Sequence, residues 1–211
     1  MRVKSIRNNK NLSGKTIFLR ADLNAPIKNR AVADDYKIVM SLPTIRFLLR
    51  HKCRLIIATH LSDTSASAKP IAARLVRLLG RKVLFIGGVL DHKALESIKE
   101  AKTSDLILLD NLRFNKGEEK NDKKFARSLA SLAQIYVNDA FASSHRDHAS
   151  VSAIKKYLPS YAGLLMEKEI INLEKILKPA QPLISIIGGA KIETKIALFN
   201  SLAKKSFRIL V

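Results

Sequence analysis

Apolar positions along the chain fall alternately into short unbroken runs and into longer stretches of helical period. Thr16-Ile17-Phe18-Leu19-Arg20 is β-branched and aromatic, and Ala21-Asp22-Leu23-Asn24-Ala25-Pro26 ends it, which reads as a strand with a polar end. Between Asp34 and His51 the residues Ile38, Leu42, Ile45, Leu48 and Leu49 recur at helical spacing, with Pro43 expected to start or kink the helix. Arg54-Leu55-Ile56-Ile57-Ala58 reads as a buried strand that ends in Thr59-His60-Leu61-Ser62-Asp63, and a small polar loop occupies 62–68. A helix over 70–79, a strand over 82–85, a helix over 91–100 and a strand over 106–109 follow. The last of these ends in Asp110-Asn111-Leu112-Arg113-Phe114, and a helix over 122–132 leads to the apolar approach Ala133, Ile135, Tyr136, Val137.

That approach runs into Asn138-Asp139 and then His145, Arg146 and His148, with Ser150 placed to cap a following helix. Beyond it, 164–177 predicts a helix with Met166, Ile170, Leu173 and Leu177 on one face, stopped by Lys178-Pro179-Ala180-Gln181-Pro182. The pattern then restarts with a strand over 183–187, the turn Gly188-Gly189, a helix from about 192 to 203, and an apolar run over 207–211. Strands alternating with helices at this rhythm predict an α/β fold: a Rossmann-like open, mostly parallel sheet with helices on both faces and right-handed crossovers. An incomplete second α/β unit follows it. The expected division is a first domain over 1–163, a connecting helix and linker over 164–182, and the start of a second domain over 183–211.

Composition adds limits to this picture. Hydrophobic residues make up 47% of the 211, with mean hydropathy of +0.01, so the chain has the material for a real core and does not read as a disordered protein. A single cysteine, Cys53, excludes a disulfide framework within the chain and favours a reducing compartment. The basic amino terminus is followed by no apolar signal region, and no run reaches the roughly 18 to 20 apolar residues of a membrane span, so a soluble, cytoplasmic protein is expected without a membrane partner. The formal charge of +20 calls for an anion, be it a phosphorylated metabolite, nucleic acid or an acidic membrane surface. Nucleic acid is the less favoured of these, because aromatic residues are only 6% with no Trp and the basic residues are scattered through helices.

Candidate chemistry sits where strands end. Asp22 with Leu23 and Asn24, His60 with Leu61, Ser62 and Asp63, Arg113, and His145 with Arg146 follow four different strands. In a parallel sheet they share one edge, the edge where open α/β sheets bind ligands. Arginine offers a planar fork to phosphate or carboxylate, while Asn and Asp suit a hydroxyl. A small molecule carrying phosphate, carboxylate and hydroxyl would use all of these groups. The second candidate is Gly188-Gly189-Ala190-Lys191, with Lys195 four residues on. Glycines there let backbone N–H groups approach an anion, and an ordinary strand-to-helix turn with a solvated lysine pair explains the pattern equally well. It lacks the spacing of a P-loop.

Several of these stretches together resemble the phosphoglycerate kinase family. They are FLRADLNAP (18–26), LPTI (42–45), LLDNLRFNKGEEKN (108–121), YVNDAFASSHRDHAS (136–150), GLLMEKEI (163–170) and IIGGAKIETKI (186–196), in order and spread over nearly the whole chain. The resemblance implies a 3-phosphoglycerate-binding domain followed by the start of a nucleotide-binding domain. It implies phosphoryl transfer between 1,3-bisphosphoglycerate and ADP, giving 3-phosphoglycerate and ATP, with Mg²⁺ accompanying the nucleotide. By resemblance Asp22, Leu23 and Asn24 hold the glycerate, and His60, Leu61, Ser62, Asp63, Arg113, His145 and Arg146 lie at its phosphate. Lys37 and Lys195 are the catalytic cations, and Gly188, Gly189, Lys191 and Lys195 meet the nucleotide.

Two positions depart from the family pattern: Lys37 stands where the family has arginine, and Asp63 replaces a binding arginine. No counterpart of the family's magnesium-binding aspartate or later glycine loops precedes Val211, so no metal ligand is assigned here. The missing half would have to come from elsewhere, for example a separate chain. The alternative expectation is a degenerate fragment that binds anions or a partner without turning over.

Overall fold

The computed structural model describes residues 3–102, 105–178, 182–189 and 195–211, which form two compact units, Met1–Glu167 and Lys168–Val211. The first unit is built in chain order from β1 (Thr16–Arg20), a small antiparallel hairpin of β2 (Ile27–Lys28) and β3 (Ala31–Val32), and α1 (Tyr36–Arg50). Next come β4 (Arg54–Ala58), α2 (Lys69–Leu79), β5 (Val83–Ile86), α3 (His92–Glu100) and β6 (Leu106–Leu109). α4 (Lys123–Ala130), β7 (Ile135–Asn138) and β8 (Ser160–Ala162) complete the sheet, and α5 (Leu164–Leu177) begins in this unit and ends in the next.

The sheet has six strands in the order β5-β6-β4-β1-β7-β8, every pair parallel. Because side chains alternate between faces along a strand, a single run such as Ile17-Phe18-Leu19 feeds two cores. Ile17 and Leu19 pack with Leu55, Ile57, Leu106 and Val137 under α1 and α2, around Ile38, Ile45, Ile71 and Leu75. Phe18 packs with Ile56, Ile107, Leu109 and Tyr136 under α3 and α4, around Ile98, Phe125 and Leu129. A strand buried on both faces needs apolar residues at nearly every position, which is why β4 and β6 read as continuous runs. Burying each such side chain contributes about 1.5–3 kcal/mol.

Local sequence sets the helix limits. Asp91 and Asp122 cap α3 and α4, their carboxylates accepting from Ala94 N and Phe125 N at 2.8 and 2.7 Å. α2 closes on Gly80, whose φ of 62° is the left-handed conformation glycine adopts without steric cost. Pro43 does not start α1, which begins at Tyr36; it sits inside the helix. The α1 face carrying Ile38, Leu42 and Ile45 is buried, so tertiary packing outweighs the lost backbone hydrogen bond. Ser150 caps no helix either. Only a 3-10 turn, Ala153–Lys156, follows it, and Ser150 is buried among charged groups.

The start of α5 is held by Asp139, whose Oδ1 accepts from Leu165 N and Met166 N at 2.9 and 3.2 Å, while Leu164 N donates to Thr44 Oγ1 at 3.0 Å. A Cβ at Gly163 would overlap the Asp139 carboxylate, so glycine is required there by close approach. Of the α5 residues expected on one face, Met166 is buried while Leu173 and Leu177 are exposed.

The second unit pairs β9 (Leu183–Ile186) in parallel with β10 (Ser206–Leu210), joined through α6 (Ile196–Ala203), with the later residues of α5 in the same unit. Two strands and a helix cannot enclose their own apolar surface, and Ile184, Ile186, Phe207 and Leu210 are exposed. Among the described residues no helix is long and apolar enough to cross a membrane.

Cys53 is buried at the base of β4, its Sγ 3.3 Å from Leu12 O. Burial pushes the thiol up to about 11, so it stays protonated at neutral pH and is a poor nucleophile. Iodoacetamide at pH 7.5 is therefore expected to label the native chain far more slowly than the chain unfolded in guanidinium; equal rates would show an accessible thiolate.

Candidate functional site

The four strands at the middle of the sheet, β6, β4, β1 and β7, are consecutive neighbours. All run the same way, so the residues after each strand emerge along one edge, and they are the ones that carry the candidate chemistry. Arg113 lies in the 3-10 turn Leu112–Phe114 after β6, and His60 to Asp63 follow β4. Asp22 to Asn24 follow β1, and His145 and Arg146 follow the 3-10 turn Phe141–Ser143 beyond β7.

Hydrogen bonds tie these strand ends to one another. Asn24 and Ser62 bond reciprocally, Asn24 Nδ2 to Ser62 Oγ at 2.7 Å and Ser62 N to Asn24 Oδ1 at 2.8 Å. Arg113 donates from one terminal nitrogen to Leu61 O at 3.1 Å, and its Nε lies 2.9 Å from Glu119 Oε1 without hydrogen-bond alignment. Asn111, fully buried, accepts Leu61 N at 3.1 Å and donates to Asp63 O and Ala66 O, so it shapes the loop after β4. Leu23 and Leu61 are core side chains; their backbone N–H groups are taken by Thr59 Oγ1 and Asn111 Oδ1.

Lys37, on the first turn of α1, reaches Asp22 with its amine 3.1 Å from Oδ2. The lysine is the more exposed partner, 43% against 10%, so its charge still faces solvent beside the strand ends. Asp63 is exposed, and its carboxylate accepts both the hydroxyl and the backbone N–H of Ser65, bonds that hold it below its ordinary value. It lines a cavity of about 390 Å³ with Asn24, Pro26, Ile27 and Ser62. Arg146 is half-buried and His145 is exposed on the same loop.

His60 is 4% exposed, and its Nδ1 is 2.9 Å from a terminal nitrogen of Arg20. Burial, then the charges of Arg20, Arg113 and Arg146, push its pKa down from 6.5 to about 3, so the ring is neutral at physiological pH. The unfolded chain takes up this proton near pH 6.5 while the folded chain refuses it until far lower. This contribution to stability is therefore complete above pH 6.5 and is lost as pH falls toward 3, at about 1.4 kcal/mol per pH unit. Urea unfolding at pH 7 and pH 5 should show that loss, and His60→Gln should flatten it; an unchanged slope in the variant would assign the effect elsewhere. His148 is shifted the same way by burial and must be followed alongside.

Polar groups that the strand-end pattern passed over lie beneath this edge. Arg20 shares the face of Phe18 and is fully buried, as is Glu118. Ser150 joins the two: Arg20 Nε donates to Ser150 Oγ at 2.9 Å, Ser150 Oγ donates to Glu118 Oε1 at 2.5 Å, and Ser150 N donates to Glu118 Oε2 at 3.0 Å. Tyr136 donates its hydroxyl to Ser150 O at 2.7 Å, and His148 Nδ1 stands 3.8 Å from Glu118 Oε1. Burial lowers the Arg20 pKa, opposed chiefly by the charge of Glu118. The sequence signal for this network was an arginine in register with core residues at the end of an apolar strand.

In the second unit a cavity of about 430 Å³ is lined by Ile187, Gly188, Gly189, Lys195, Ile196, Phe199 and Val211. Lys195 immediately precedes α6 and its amine donates to Gly188 O. Gly189 has a φ of 121°, a glycine conformation, and a Cβ there would collide with the Lys195 amine. Lys191 lies outside the described residues.

The fold and the strand-end groups define an open parallel α/β protein with a cationic basin at the carboxyl edge of its sheet. A family model for phosphoglycerate kinase matches residues 7–211, and the chain belongs to that family. It is 42% identical over 207 residues to a curated phosphoglycerate kinase of Fervidobacterium nodosum, covering 95% of this chain and 52% of the relative. With that of Wolbachia sp. subsp. Brugia malayi it shares 45% over 203 residues, covering 93% and 51%. The crystal structure of phosphoglycerate kinase from Pyrococcus horikoshii matches with a TM-score of 0.88 at 31% identity, covering 97% of this chain and 54% of that one. The Coxiella burnetii phosphoglycerate kinase structure matches with 0.86 at 34%, covering 99% and 54%. The chain thus spans about half the length of the curated relatives it matches.

Proposed function

We propose that the first unit binds 3-phosphoglycerate or 1,3-bisphosphoglycerate at the carboxyl edge of its sheet. In this reading it serves as the substrate half of a glycolytic phosphoglycerate kinase of the cytoplasm. The observation that carries the reading is the gathering of Arg113, Arg146, neutral His60 and the Lys37–Asp22 pair on four adjacent strand ends. Arg113 and Arg146 supply fixed positive charge for the phosphate, and half-buried Asn24 and exposed Ser62, bonded to each other, retain a second amide hydrogen and a hydroxyl proton for the glycerate. Phosphoryl transfer asks the protein for positioning and charge rather than for a nucleophile. Lys37, held by Asp22, is placed to offset charge that develops on the transferring group. As lysine instead of the family's arginine it does so without a bidentate fork.

In the second unit Gly188, Gly189 and Lys195 are the proposed contacts to ATP or ADP, with Lys195 toward the phosphates. Family membership implies a nucleotide substrate, and kinases generally use Mg²⁺ with it. Among the described residues no cluster of three or more His, Cys, Asp or Glu could hold a metal ion. Among the described residues the donors therefore do not make a metal site. Turnover would require the remainder of a nucleotide-binding domain.

The test is calorimetric titration of 3-phosphoglycerate into the chain at moderate salt, with a DNA oligomer as competitor. Saturable one-to-one binding that DNA does not displace is expected. Absence of binding would instead favour a degenerate anion-binding module, and displacement by DNA with steep salt dependence would favour a nucleic-acid ligand. Asp63→Arg replaces a carboxylate with a cation at the edge of the basin. At an exposed position this is expected to tighten 3-phosphoglycerate about 3- to 10-fold, measured in the same titration; no change would put position 63 outside the site.

A further inference from the structure

The buried groups under the basin form a directed chain that binding of the substrate does not by itself require. Arg20 is fully buried and uses all three guanidinium nitrogens: Nε on Ser150 Oγ, one terminal nitrogen on Ala21 O at 2.9 Å, and the other on His60 Nδ1 at 2.9 Å. We propose that Arg20, backed by Ser150 and Glu118, is a positioning residue that fixes His60 as the tautomer with its proton on Nε2, so that the ring meets an anion as a neutral hydrogen-bond donor. This rests on reading the basin as the 3-phosphoglycerate site.

The geometry leaves one arrangement of protons. A guanidinium has only donors, so Nδ1 must accept and the ring proton must be on Nε2. Among the described residues Nε2 has no protein hydrogen-bond partner, which leaves it for a ligand. The opposite tautomer would set two N–H groups against each other at the same distance. A buried cation needs a counter-charge, and Glu118 provides it through Ser150, whose hydroxyl accepts from Arg20 and donates onward to the carboxylate. The charged and titratable groups that bear on His60 are Arg20 from β1, Arg113 from the turn after β6, and Arg146 with the titratable His148 from the loop after β7. Burial first, and then the three fixed cations among them, keep the ring neutral, so it adds directionality to the site without adding charge.

Lysine could not replace Arg20, because one amine on a flexible stem cannot serve Ser150, Ala21 O and His60 from a planar fork. The ring-nitrogen NMR spectrum of His60, assigned by its loss in His60→Gln, tests the proposal on the ligand-free chain. A single Nε2–H tautomer, unprotonated down to pH 5, is expected. An Nδ1–H tautomer, or an imidazolium at pH 6, would overturn it. In Arg20→Lys the ring should become a mixture of tautomers and titrate at higher pH than in the parent; an unchanged spectrum would overturn the role of Arg20. Should that variant fail to fold, the parent spectrum alone decides.

Adding 3-phosphoglycerate should shift the Nε2 signal and leave Nδ1 unprotonated. If calorimetry shows binding and Nε2 does not respond, the donor role is wrong. If calorimetry shows no binding, the reading of the basin falls, while the ligand-free spectrum still decides whether Arg20 sets the tautomer.

Discussion

Arg113→Ala and Arg146→Ala should each weaken 3-phosphoglycerate binding by roughly 10- to 100-fold, the loss of one charge-assisted hydrogen-bonding group at about 1.5–3 kcal/mol. The two substitutions differ in what else they disturb. Arg113 is 11% exposed at the side chain and donates to Leu61 O, so its removal also frees the loop after β4 and leaves Glu119 without its cation. Arg146 is half-buried and its backbone N–H, on Ser143 O, survives the substitution. Arg113→Ala should therefore lose some stability as well as affinity, and Arg146→Ala should lose affinity alone. Calorimetry beside urea unfolding separates the two, and unaltered affinity in both variants would remove the site assignment.

Glu118→Ala is expected to be the most destabilising single change in the first unit, by about 3–5 kcal/mol, because it strands the buried Arg20 charge. Domains are stable by only about 5–15 kcal/mol in all, so the variant should show a sharply lowered urea midpoint. Ser150→Ala, which removes the bridging hydroxyl but leaves both charges, should cost less. A loss under about 1 kcal/mol for Glu118→Ala would mean that Arg20 is compensated by another group, such as Asp22, which also bears on it electrostatically.

Much of this architecture could be read from the chain because its strands are short and separated by clear helical periods. β1, β4 and β6 fall where the apolar runs placed them, and the helices over 92–100 and 123–130 begin just after the aspartates that cap them. Elements set by tertiary context were not legible. β8 has the sequence Ser-Tyr-Ala and is held as a strand by pairing with β7 and by a bridge from Ser5 to Ala162, and the β2–β3 hairpin is two residues on each side. Pro43 suggested a helix start or a kink, but its effect depends on what the preceding residues pack against, which no local pattern records. The second unit followed the expected order, while its helix is described only from Ile196 onward.

The strand-end residues were found because topology alone brings them to one edge. Their wiring was not, because it depends on contacts distant in sequence: Asn24 with Ser62, 38 residues apart, and Arg20 with Ser150, 130 apart. Ser150 looked like a cap because serine before a helix usually is one. In the fold it lies between an arginine and a glutamate that no spacing rule connects. Asp63 reads as a reversed charge in sequence, and the structure adds that its carboxylate is engaged by Ser65 in the loop.

We propose the carboxyl edge of the first sheet as the 3-phosphoglycerate site. Residue-resolved NMR titration of the ¹⁵N-labelled chain tests it most directly. Saturable shifts are expected to concentrate at Asp22, Asn24, Lys37, His60, Ser62, Arg113 and Arg146, with α3 and the carboxyl-terminal part of α4 unmoved. Saturable shifts centred elsewhere, or none while the chain remains folded, would contradict it.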